Sequence, residues 1–431
     1  MTTPLLPDAA APPHGAPSDT AVFERHESDV RLYSRKFPVV FTHGHGSWLV
    51  SEDGRRYLDF FCGASALNYG HNPPEAKERL IEYLSRDGLV HGLDMYTAAK
   101  RAFLARFHEV IAAPHGLPHK VQFCGPTGTD AVEAALKLAR KATGRRTVVA
   151  FTGAFHGMSR GSLSVTGSRR ARAAGGVDLQ DVLFVPYEDG PAGAFDSVDY
   201  LERLLADPAG GVDPPAAVIV EPVQVDGGVY PASARWLRRL RAFTERWGAL
   251  LIADDIQAGC GRSGDFFSFT HAGVTPDLIT LSKSISGYGL PLSLLLIAPG
   301  LDVWQPGEHT GTFRGNQLAF VSATATLELW TRPEFTARVA ENQRVLQEEA
   351  RRLAAGRPGV TVRGRGMLAG LDVGDPGRAE RVQGECFRRG LILELCGRND
   401  RVVKLMPALN IGEEDLRTGI DVLRSALEAT A

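Results

Sequence analysis

Beyond residue 70 the hydrophobic positions fall into two alternating patterns. At 74–86, 96–112, 127–142 and 232–246 apolar residues recur every three or four positions, the period of an amphipathic helix. Between these lie short, mostly apolar runs at 121–124, 147–151, 216–220, 249–253 and 278–281. Runs without polar alternation suit strands covered on both faces. The alternation predicts an α/β layer on a largely parallel, buried sheet.

The flanks read differently. Residues 1–20 are rich in Pro, Ala and Thr, and Pro4, Pro7, Pro12, Pro13 and Pro17 break any period, so a disordered tail is expected. In the polar stretch 23–35, the recurrence of Phe23, Val30 and Tyr33 predicts a helix. Residues 46–54 read as a hairpin turning at Asp53-Gly54. From Leu318 a helical pattern runs to about Ala355, broken near Pro333, followed by 360–373, another helix and short strands at 391–395 and 401–405. The expected division is a tail at 1–20, an N-terminal segment at 21–70 packing with the small domain, a large domain at 71–317 and a smaller α+β domain at 318–431.

The length of 431 residues, with 44% hydrophobic and 23% charged, fits two or more packed domains. A net charge of −2 gives no general attraction for nucleic acid or an anionic membrane. The longest apolar run, 290–299, is too short to span a bilayer. Cys62, Cys124, Cys260, Cys386 and Cys396 are scattered and never in C-x-x-C spacing. Neither a disulfide framework nor a Cys-only zinc site is expected, no metal is assigned, and a reducing cytoplasm fits. No Lys or Arg precedes Arg25 and no apolar stretch stands there, so no secretory or transit leader is expected.

Three stretches carry candidate chemistry. In Cys124-Gly-Pro-Thr-Gly-Thr-Asp130 a strand ends, glycines loosen the backbone and a helix begins, with acids in its first turn and bases in its last. Such a helix start offers free N–H groups to a phosphate; taken alone it is also an ordinary strand-to-helix turn. In Leu250-Leu-Ile-Ala-Asp-Asp-Ile-Gln257 an apolar strand runs into Asp254, where a buried charge needs a partner such as a cationic ring nitrogen. A helix-capping or salt-bridged Asp is the plainer reading of that stretch by itself. In Leu278-Ile-Thr-Leu-Ser-Lys283 a lysine follows another apolar strand; buried lysines form Schiff bases, whereas isolated ones are usually solvated. Together the three describe a site for a phosphorylated, pyridine-containing aldehyde.

With these motifs in order, the chain resembles the class III (ω-) aminotransferases of pyridoxal-phosphate fold type I over residues 23 to 428. Within that family it is similar to the diaminobutyrate–2-oxoglutarate transaminases of ectoine biosynthesis. Tyr57-Leu-Asp-Phe-Phe61, Ala66-Leu-Asn-Tyr-Gly-His-Asn72, Leu93-Asp-Met-Tyr96, Asp254-Asp-Ile-Gln-Ala-Gly-Cys-Gly-Arg262 and Gly311-Thr-Phe-Arg-Gly-Asn316 carry the likeness. The resemblance implies pyridoxal 5′-phosphate as cofactor and Lys283 as its covalent anchor. It implies Asp254 on the ring nitrogen, Gln257 on the ring hydroxyl, and Ile256 and Phe155 on the two ring faces. Gly128 and Thr129 would hold the phosphate, and Thr312 would reach the phosphate of the neighbouring subunit, which implies a homodimer. Glu221 matches a glutamate that helps this class handle two kinds of substrate, and Lys404 stands where many relatives carry an Arg for a substrate carboxylate. Small amino-acid and keto-acid or aldehyde substrates follow, with glutamate as donor and aspartate 4-semialdehyde as acceptor.

Several positions depart from the expected pattern: Cys62, Ser65, Val225-Asp226 and Leu395-Cys396. They leave open another diamine or ω-amino acid as substrate. Aminomutase or decarboxylase chemistry on the same fold, and a non-catalytic relative, are the rival classes. His156 reads as a structural histidine and Arg262 as a structural ion-pair partner.

Overall fold

The computed structural model describes residues 20–176, 179–188, 190, 193 and 195–431. The tail expected at 1–20 lies outside the described residues except for Thr20, which stands at the start of the first helix.

The central sheet has seven strands in the order Lys120–Phe123, Leu294–Ile297, Leu278–Leu281, Leu250–Asp254, Ala217–Val220, Val148–Phe151, Val182–Val185. The last five pair in parallel, and only Leu294–Ile297 runs antiparallel to both neighbours. The fully apolar runs are explained by burial on both faces. In Ala217–Val220, Val218 and Val220 enter one hydrophobic core while Ala217 and Ile219 enter the other, because successive side chains point to opposite sides of a strand. Phe103, Leu240 and Phe320 cover the first face, and Ala131, Ala135 and Leu138 of helix Gly128–Thr143 cover the second. The antiparallel strand is the apolar run at 290–299, whose composition carries no sign of direction.

The smaller domain holds an antiparallel sheet in the order Thr361–Arg365, Leu368–Asp372, Val402–Leu405, Glu394–Cys396. Helices Pro333–Ala354, Pro376–Arg388 and Glu413–Ala429 pack with it. The N-terminal strands Phe41–His45, Trp48–Ser51 and Arg56–Asp59 form a meander, whose second turn is the one at Asp53-Gly54. Leu391–Ile392 adds to its edge in parallel, so Leu58, Phe60 and Tyr69 share a core with Leu371, Val403 and Leu423.

Three expectations are corrected. The helix expected at 23–35 is two short ones, Ala21–His26 and Tyr33–Lys36. The Ser28-Asp29 segment between them bonds locally, with Val30 N donating to Ser28 Oγ and Arg35 donating to Asp29, and such side chains compete with helix. The division at 317/318 falls one helix too early. Helix Gln317–Leu327 packs Ala319, Phe320, Ala323 and Leu327 into the large core, and the small core begins at Leu329. The segment at 391–395 is split between two sheets, because Leu391–Ile392 pairs with the N-terminal meander and Glu394–Cys396 with Val402–Leu405.

Candidate active site

The carboxyl ends of the parallel strands face one cavity of about 250 Å³. Its walls include Gly128, Thr129, Phe155, His156, Glu221, Asp254, Ile256, Gln257 and Lys283. Each arrives there for a local reason. Asp254 ends strand Leu250–Asp254, Glu221 follows Ala217–Val220, and Lys283 stands just beyond Leu278–Leu281. Gly128 opens helix Gly128–Thr143, capped by Thr127 and by the Asp130 carboxylate accepting from Thr127 N at 3.0 Å. A side chain at 128 would come within 3.0 Å of Ile256, so glycine lets that residue lean over the helix start.

Asp254 is buried and fully engaged. Its Oδ1 accepts from Thr280 Oγ1 at 3.1 Å and from Ile256 N at 3.2 Å, and its Oδ2 lies 2.6 Å from His156 Nδ1. Nε2 of the same imidazole is buried without a partner. Thr129 Oγ1 bonds the hydroxyls of Ser159 and Ser162 at 2.6 and 2.5 Å, a hydroxyl cluster braced by Glu133.

Lys283 lines the cavity. Burial pushes its amine below the ordinary lysine range, more than the facing Asp226, Glu394 and Asp254 push it up. That favours the neutral, nucleophilic amine. Its backbone has φ +52°, the left-handed region, and four consecutive residues nearby, Cys62 to Ser65, also have positive φ. The carbonyls of that turn hold the site: Ala64 O accepts from Gln257 Nε2 at 3.3 Å, and Ser65 O accepts from Ser284 Oγ at 2.7 Å. Backbone in a sparsely populated region persists where surrounding bonds overdetermine it. Cys62 and Ser65 therefore belong to the support of the site and are buried.

Glu221 is buried too, accepting from Phe155 N at 3.1 Å, and burial with the charge of Asp254 raises its carboxyl well above the carboxylate range. Glu221 does not stand beside Lys404. The acids there are Asp226 and Glu394, each 2.8 Å from the ammonium, which is completely buried. Burial alone would lower Lys404, but the two carboxylates outweigh it and raise it well above the lysine range. Tyr33 from the N-terminal segment donates to Glu394 Oε1 at 2.7 Å. Lys404 thus has its charge already countered and does not line the cavity. Thr312 also stays outside, in the exposed stretch around Phe313. Arg262, expected in an ion pair, instead donates to Met367 O, Pro407 O and Asn68 Oδ1 at 2.9, 2.5 and 2.7 Å.

Sequence reasoning missed Asp226 and Glu394 as partners of Lys404, Tyr33 as their support, and His156 as the residue orienting Asp254. Asp226 was visible only as a departure from pattern. Glu394 and Tyr33 gave no signal, since strand pairing brings them to the site.

An acid held at a strand end, a buried lysine and a helix start converging on one cavity define an enzyme of the pyridoxal-phosphate fold type I. The aminotransferase class-III family matches residues 31–427, and the chain belongs to that family. It is 52% identical to an uncharacterized aminotransferase, y4qG, of Sinorhizobium fredii, over 95% of this chain and 92% of that one. It is 50% identical to a diaminobutyrate–2-oxoglutarate transaminase of Bordetella parapertussis, over 95% of each. The crystal structure of the ornithine aminotransferase from Toxoplasma gondii superposes with a TM-score of 0.82 at 26% identity, over 95% and 94% of the chains.

The protein is a transaminase, and its cofactor is pyridoxal phosphate. The residues present fit that group. The cavity presents a carboxylate, an amine of lowered basicity and a glycine-opened helix start, each needed by one end of it.

Proposed function

We propose that the enzyme moves the amino group of L-glutamate to the aldehyde carbon of aspartate 4-semialdehyde, giving L-2,4-diaminobutyrate and 2-oxoglutarate by a ping-pong route. The observation that carries this reading is the 50% identity over 95% of both chains with a transaminase named for that reaction.

When bound, the cofactor supplies an electron sink for the carbanion formed at the substrate carbon. The chain's own residues do the rest. The Lys283 amine holds the cofactor, and once displaced by substrate it takes and returns the proton at the reacting carbon. Asp254, fixed by His156 and Thr280, keeps a proton on the ring nitrogen. Gln257 would contact the ring hydroxyl, Ile256 and Phe155 would pack on the ring, and Gly128 and Thr129 would hold the phosphate. Glu221 lines the cavity, its carboxyl raised above the carboxylate range by burial and by the charge of Asp254. Lys404 takes the glutamate carboxylate by exchanging it for Asp226, whose side chain is one-third exposed and can turn away.

The enzyme works as a homodimer in this reading, with Thr312 reaching the partner's phosphate. Support comes from the exposed apolar residues Leu89, Val90, Leu93, Met95, Tyr96 and Phe313 in and around the Thr312 stretch. A cytoplasmic setting suits five free, buried cysteines. Among the described residues no helix is long and apolar enough to cross a membrane.

The test uses the cofactor-loaded enzyme in single turnover. L-2,4-Diaminobutyrate alone should convert the cofactor absorbance to that of its amine form, and 2-oxoglutarate should reverse the change. A faster response to ornithine or 4-aminobutyrate would overturn the substrate, and turnover without any keto acid would overturn transamination.

A further inference from the structure

Beside the cofactor cavity one cation is shared by two acids. Lys404 lies 2.8 Å from both Asp226 and Glu394, which leaves the cluster one negative charge in excess. Val223 and Ala258 of the cavity wall share a hydrophobic cluster with Cys396 and Val402, on the same two strands as Glu394 and Lys404, which packs these strands against the site. Glu394 faces Lys404 directly across paired strands, and this residue is only 8% exposed. Its Oε2 is ion-paired with Lys404 at 2.8 Å and has no other partner, so it can accept a further hydrogen bond. Oε1 is fixed by the Tyr33 hydroxyl, which burial and the Glu394 charge keep protonated and donating. A buried carboxylate in excess of its cations is costly unless a ligand brings the missing positive charge.

We propose that Glu394, held by Tyr33, is a specificity-determining residue that accepts the second ammonium of a diamino acid. The class selected is an amino acid with one reacting amine and one further ammonium beside its carboxylate. An ω-amino acid lacking that ammonium leaves Glu394 uncompensated and binds poorly. The assignment rests on the substrate reading above and deepens it.

2,4-Diaminobutyrate and 4-aminobutyrate differ only by this ammonium, so their kcat/KM ratio in the amine-forming half-reaction isolates it. Wild type should prefer the diamine. In Glu394→Gln the ratio should fall about tenfold or more, mainly through KM, as expected for losing a charged hydrogen bond. The loss on diaminobutyrate should exceed the loss on glutamate by a similar factor. Glu394→Asp should recover part of the ratio. Tyr33→Phe, at a half-exposed position that leaves the core intact, should lower it by roughly threefold. Equal losses on all three substrates would show that Glu394 merely supports Lys404 and would overturn the inference alone. A wild type that does not prefer diaminobutyrate to 4-aminobutyrate would overturn both the inference and the substrate reading.

Discussion

His156 Nδ1 lies 2.6 Å from Asp254 Oδ2, and both side chains are closed to solvent. The imidazole is clamped in turn by its backbone, since His156 N donates to Thr166 Oγ1 at 3.0 Å. Asp254 is therefore aimed, and cannot rotate without leaving a buried charge unpaired.

His156→Ala should loosen the cofactor more than it unfolds the protein. A hydrogen bond to a charged group is worth about 1.5–3 kcal/mol, which corresponds to roughly a ten- to hundredfold weaker hold. Absorbance titration of the apoprotein with pyridoxal phosphate measures it. An unchanged dissociation constant would mean that His156 only fills space.

Asp255, the neighbour of Asp254, points away from the cavity into the large domain, where Ser268 N donates to it at 3.0 Å. Burial pushes its carboxyl up to about 7. The unfolded chain releases that proton near the ordinary carboxylate value, so between about pH 4 and 7 the folded state binds more protons. Its contribution is greatest below that window and is lost as pH rises through about 7. Chemical denaturation of the wild type across the window should show this falling term, and Asp255→Asn should flatten it. Parallel curves for the two proteins would refute the assignment.

Arg262 ties the large domain to carbonyls of the small domain and to Asn68 of the N-terminal segment, and it is completely buried. Lysine cannot reproduce a planar fork with three acceptors. Arg262→Lys should cost about 3 kcal/mol through acceptors left unsatisfied in the interior, read from the urea midpoint. A loss below about 1 kcal/mol would show that water replaces the missing donors.

Thr312 tests the dimer. Mixing Lys283→Ala with Thr312→Ala subunits gives heterodimers in which one cavity has both its own Lys283 and the partner's Thr312. If the threonine reaches across, that cavity should bind the cofactor about tenfold more tightly than a Thr312→Ala homodimer does. Occupancy equal to the Thr312→Ala homodimer would place the threonine outside the partner's site.

The α/β layer and half of the site were legible because they are local. Asp254, Lys283 and Gly128 each stand at or within a few residues of the end of a short strand of the central sheet, and a strand's carboxyl end fixes where the next side chain goes. What the sequence could not decide was anything set by pairing between distant segments. The direction of Leu294–Ile297 depends on its neighbours and not on its composition. Lys404 was read as a cation for a substrate carboxylate, and its protein partners were not foreseen, because Glu394 reaches it through a strand ladder and Asp226 through a loop. Helix Gln317–Leu327 joins the large core although it carries no charged residue and no distinct polar face, a pattern that names no partner. Chain-local chemistry is written in order along the sequence, whereas the charge balance of a buried cluster exists only once packing has removed water from all its members together.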